Sequence, residues 1–127
     1  MDRDETFERG LAIRKEMFGA LTEEHLRNAD DFMRDLQDMV TTYCFGEVWG
    51  REDLPRNIRS MLTLSLLAAQ GRTEELRWHV KGALANGVSQ DEIKEVFLHT
   101  AVYAGIPAGV AAHFAAREVF AEIAAEG

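Results

Sequence analysis

The stretch that decides the fold is Asp53–Ile93, DLPRNIRSMLTLSLLAAQGRTEELRWHVKGALANGVSQDEI. It punctuates itself as helices. Asp53-Leu54-Pro55 opens the first, because proline is tolerated in a first turn, where its missing N–H is not needed. That helix runs to about Gln70, and its apolar run from Met61 to Ala69 predicts burial on most sides. Gly71 ends it, and Thr73 is placed to cap a second helix over Glu74–Ala85. Asn86-Gly87 is a left-handed stop. Ser89 and Glu92 then form a capping box, each satisfying a backbone N–H at the start of a third helix.

Working outward, the same grammar continues. The third helix reaches Ala104-Gly105, and Pro107 opens a last one over Ala108–Ala124. Upstream, Phe32, Leu36, Val40 and Tyr43 repeat at spacings of four, four and three, which is helical periodicity. Gly46 and Gly50 bracket Glu47, Val48 and Trp49 as a turn. Thr22 is placed to cap a helix beginning TEEHL. Phe7, Leu11 and Phe18 give Arg3–Phe18 a weak apolar stripe suited to packing on a neighbour. No segment alternates as a strand does. The expectation is an all-α, single-domain bundle of about six helices, with an N-terminal arm over about 1–25 and a core over about 30–120.

Composition bounds the function. The 127 residues carry a net charge of −8, which argues against nucleic acid or an anionic membrane surface as a partner. Cys44 is the only cysteine, so no internal disulfide forms and a cytoplasmic chain is expected. The opening MDRDETFERG lacks the apolar stretch of a secretory signal.

Few residues can carry chemistry. Arg59 sits in the run IRSMLTLSLLAA, otherwise apolar or hydroxyl-bearing, and a buried guanidinium needs a carboxylate partner. That partner is internal, with Glu47 and Glu75 the candidates, or it belongs to a ligand. Arg56, one turn earlier, can complete a two-pronged anion clamp. Glu75 and His79 stand four apart, a surface pair or a poised acid–base pair with a raised histidine pKa. His99 and His113 lie on apolar helices and read as hydrogen-bonded core residues, while His25 reads as exposed. Trp49, Trp78 and Tyr103 are core or pocket wall. No HExxH spacing occurs, so no metal site is expected, and Cys44 alone cannot run dithiol chemistry.

Several blocks occur together in order: GEVW at Gly46–Trp49, the arginine-led apolar helix at Arg59, ELRWHVKGALANGV at Glu75–Val88, EIKEV at Glu92–Val96 and AVYAGIPA at Ala101–Ala108. Over about Phe32–Phe120 the chain resembles the carboxymuconolactone decarboxylase family, within the alkylhydroperoxidase-D-like superfamily. The redox branch of that superfamily carries Cys-x-x-Cys-x-x-x-His; here Arg72 and Glu75 stand at the cysteine positions and His79 at the histidine. Loss of both cysteines points away from peroxide reduction.

The resemblance implies a helical protomer that assembles into trimers or hexamers. It also implies a small dianionic lactone substrate from the protocatechuate branch of aromatic catabolism, losing CO2 to give the 3-oxoadipate enol-lactone without metal or cofactor. On that implication Arg59 clamps a carboxylate or the lactone carbonyl and Arg56 is a second prong. His79, kept cationic by Glu75, donates the proton or stabilises the oxyanion. Glu47 orients Arg59 or His79, and Trp49, Trp78 and Tyr103 exclude water. The alternatives are a relative that acts on or binds another small carboxylated lactone or keto acid, and a peroxidase-related protein without its dithiol.

Overall fold

Helices account for nearly all of the chain, and most of them start and stop where local chemistry dictates. The computed structural model describes residues 1–127 as α1 (Arg3–Phe18), α2 (Ala20–Arg27), α3 (Asp31–Met39), a π-helical segment (Val40–Trp49), α4 (Arg56–Gln70), α5 (Thr73–Ala85), α6 (Gln90–Ala104) and α7 (Ile106–Glu126). There is no strand, as expected. Contacts group the chain into two compact units, Met1–Arg56 and Asn57–Gly127.

In the first unit, Asp2 caps α1 by accepting from the Glu5 N–H at 2.8 Å, and Asp30 caps α3 by accepting from Met33 at 3.1 Å. The buried face of α1 is not the Phe7–Leu11–Phe18 stripe. It consists of Thr6, Gly10, Ile13, Arg14 and Met17, and it packs on the chain's own π segment. The cause is backbone proximity. A β-carbon on Gly10 would lie 1.9 Å from the Thr41 carbonyl oxygen, and one on Gly46 would lie 2.4 Å from that of Thr6. Only glycine permits such an approach.

The turn expected between Gly46 and Gly50 does not form. The helix winds on to Trp49 in the wider π register, which disturbs the ordinary carbonyl pairing. Arg9 compensates by donating from Nε at 3.0 Å and Nη2 at 2.6 Å to the Gly46 carbonyl. The register brings Phe45 over Trp49 with centroids 5.7 Å apart, and Phe18 meets Phe45 edge-on. Thr22 is not a cap either. It is buried inside α2, donating its hydroxyl to the Arg14 carbonyl at 2.8 Å, while Arg14 donates to Thr41 Oγ1 at 2.8 Å.

The second unit is held by apolar side chains. Leu64, Leu76, Val80, Ile93, Phe97 and Val119 anchor its core. The Ser89–Glu92 capping box forms, and Gly87 (φ 87°) stops α5 as expected. Thr73 is the first residue of α5 and caps nothing; Arg72 occupies the cap position without a side-chain bond. The larger departure is α4. Only Ser60, Leu64 and Ala68 are buried, one row at spacing four, while Ile58, Leu62 and Leu66 are exposed. Asn86 donates to Ser60 Oγ at 3.0 Å and the Ser65 and Thr100 hydroxyls pair at 3.0 Å, tying α4 to its neighbours. No helix is long and apolar enough to cross a membrane.

Candidate active site

Glu75 and His79 share one face of α5, one turn apart, Glu75 exposed and His79 mostly shielded. Their electrostatics differ from the sequence expectation. Burial pushes the His79 imidazole down to about 4, and Glu75 opposes that shift without overcoming it. The cause is the cost of stripping water from a cation, which outweighs attraction to a carboxylate that is itself solvated. His79 is therefore a neutral imidazole at neutral pH, not the cation that the pairing suggested.

Arg59 lies in the first turn of α4, half-buried, its carbonyl accepting from the Thr63 hydroxyl at 2.8 Å. Arg56 is already engaged, donating to Glu16 at 2.5 Å. As a second prong it would exchange that internal carboxylate for a ligand's. Glu47 is exposed on the π segment, and Trp49 two residues on is core, stacked on Phe45. Trp78 is half-buried on α5 beside His79. Tyr103 is 82% exposed at the end of α6, its ring 5.0 Å from that of His99.

Cavities of about 600, 540 and 440 Å³ lie along α6, against α7 or α4, and none is lined by Arg59, Glu75 or His79. His99, read from the sequence as a core residue, is exposed and lines the two cavities beside α4. The signal was present in the polar row Glu92, Glu95, His99 at spacings of three and four, which puts His99 on the wet side of α6. His113 is hydrogen-bonded as expected, its Nδ1 2.7 Å from the Gly109 carbonyl and its ring edge-on to Phe97, but it is half-buried and lines the cavity against α7 rather than the core. Cys44 packs in the first unit's cluster, where burial pushes its thiol up against the opposing pull of Arg14, so it is not a thiolate at neutral pH.

Comparison with known proteins agrees with these blocks. The family model described as "Carboxymuconolactone decarboxylase family" matches residues 34–118. A protein of Acinetobacter baylyi named 4-carboxymuconolactone decarboxylase is 42% identical, the match covering 97% of this chain and 92% of the relative. The nitrosuccinic acid decarboxylase of Metarhizium robertsii is 38% identical, over 95% of this chain and 85% of the relative. The chain belongs to the carboxymuconolactone decarboxylase family.

Proposed function

We propose that this protein decarboxylates 4-carboxymuconolactone to the 3-oxoadipate enol-lactone, needing neither metal nor cofactor. The observation that carries the reading is the near full-length match to a decarboxylase of that name. The chemistry suits a site built from an arginine and a histidine. The leaving carboxylate stands on a lactone carbon vinylogous to the ring carbonyl, so departure of CO2 pushes electrons through the ring double bond onto the carbonyl oxygen. The substrate is its own electron sink. The protein must hold the dianion, stabilise the dienolate oxygen and see a proton returned to ring carbon.

Arg59 supplies the bidentate grip on a carboxylate. A neutral His79 offers an N–H to the dienolate oxygen, as neutral imidazoles do where a full cation is not needed. The bound anion raises the imidazole pKa again, so that once CO2 has left, His79 takes a proton from solvent and passes it to ring carbon, returning to its neutral form. Glu75 favours that protonated form.

A second reading rests on the fungal relative. Nitrosuccinic acid is also a small diacid, and its nitro group can receive the electrons that CO2 leaves behind, so the same two groups would serve it. One experiment separates the readings: CO2 release from freshly generated 4-carboxymuconolactone and from nitrosuccinate, side by side, with a chelator present. Turnover of the lactone, accompanied by the enol-lactone product, supports the first reading. Turnover of nitrosuccinate alone transfers the function to the second, and no turnover of either removes both.

A further inference from the structure

Two contacts fix α6 and α7 as antiparallel neighbours. A β-carbon on Gly109 would meet that of Ala101 at 2.6 Å, and one turn further the His113 ring meets Phe97 edge-on at 5.9 Å. Each turn back along α6 is a turn forward along α7, so the next level sets Lys94 opposite Arg117. Both cations are exposed on the lining of a cavity of about 600 Å³, a size that suits a small molecule. Ile93, Phe97 and Ala116 form its buried wall, and Phe114 and Phe120 contribute two more rings. None of the residues assigned to the decarboxylation lines it.

We propose that this cavity binds a small aromatic monocarboxylate, its carboxylate between Lys94 and Arg117 and its ring against Phe97 and Phe114. Three observations select this ligand. Neither cation has a carboxylate partner: Arg117 lies 4.9 Å over the Phe114 ring, and Lys94 forms no ion pair, although Asp91, the one acidic group of the lining, stands three residues before it. Shortage is not the cause, since the chain has 22 acidic residues for 14 basic ones, and Arg77 and Lys81 on α5 are held by Glu118 and Glu122. In a chain at −8, a cavity with two unpaired cations is where an anion finds a favourable local field. The buried wall offers no donor, so a second carboxylate placed on it would lose its water without compensation. That excludes a dianion such as the lactone and leaves an apolar body, for which three phenylalanine rings favour an aromatic one.

Titration of the isotope-labelled protein with sodium benzoate, followed by backbone amide NMR, tests it. Saturable shifts are expected at Leu98 and Val110, with a dissociation constant of about 1 mM or below. Lys94→Gln and Arg117→Gln should each weaken binding by about tenfold with helical circular dichroism unchanged, since both side chains are exposed. Arg59→Ala should leave these shifts and their midpoint as they are. Benzyl alcohol, which keeps the ring without the charge, and terephthalate, which adds a second carboxylate, should each bind about tenfold more weakly than benzoate. Absence of saturation by about 10 mM benzoate overturns the proposal. So does an affinity unchanged in both glutamine variants, or a site lost in Arg59→Ala. Octanoate or terephthalate binding more tightly than benzoate overturns the ligand class.

Discussion

The two units of this chain solve helix packing by opposite means. In Met1–Arg56 the contact between α1 and the π segment is made backbone to backbone: Gly10 and Gly46 let carbonyls sit where a β-carbon would otherwise be, and Arg9, Arg14 and Thr41 satisfy the polar groups exposed by that proximity. In Asn57–Gly127 the packing rests mainly on side chains, Leu64, Val80, Phe97 and Val119, with one close approach where a β-carbon on Gly109 would meet that of Ala101 at 2.6 Å, and cavities and exposed apolar rows flank α6. The first arrangement tolerates no added atom. The second tolerates variation on its outer faces, and it carries Arg59 and His79.

The comparison breaks most sharply at Gly10. Gly10→Val is expected to destabilise by about 3 kcal/mol or more, since its β-carbon meets a carbonyl that cannot yield without moving the π segment. Urea unfolding of the purified variant measures this. A midpoint within error of the wild type would mean that α1 does not depend on the close approach.

Arg59→Ala and His79→Ala act in the other unit and should spare the fold. Each is expected to lower kcat/KM for the lactone by about 10²-fold with helical content unchanged. Near-normal rates in both variants would remove the roles assigned to them.

The protonation of His79 gives a smaller but signed effect. Its folded pKa of about 4 lies below the usual 6.5, so the unfolded chain takes up a proton first as pH falls. Wild-type Tm should therefore decline from pH 6.5 towards 4, and decline less in His79→Ala. For the same reason, kcat/KM should show no loss assignable to His79 between about pH 5 and about pH 8. A fall in rate with rising pH across that window would show that the free enzyme needs the imidazolium.

The smallest contrast concerns caps. Ser89→Ala removes a formed capping box and should cost about 1 kcal/mol, whereas Thr73→Ala removes no cap and should cost less than about 0.5 kcal/mol. Thermal melts of the two variants, run in parallel, check the ranking.

Sequence grammar worked where the cause was local. The Ser89–Glu92 box, the Gly71 and Gly87 stops and the start near Pro55 depend on residues within one turn of one another, and the structure forms them. It failed where the cause lay far along the chain. Thr22 looked like a cap because its hydroxyl had an obvious local use, but Arg14 offered its carbonyl eight residues away. Gly46 and Gly50 looked like turn residues, and the reason for glycine was instead α1 crossing above them, with Thr6 near one and Arg9 near the other.

By itself, the sequence determined the helical class, most helix ends and the family, together with the adjacency of Glu75 and His79 on one face, because these follow from periodicity and short-range hydrogen bonding. Tertiary structure decided which face of each helix is dry. It buried Thr6 and Gly10 in preference to Phe7 and Leu11, and it left Leu62 and Leu66 in water. It also decided the charge state of His79, since desolvation depends on everything packed around a ring and the sequence shows only the neighbour four residues away.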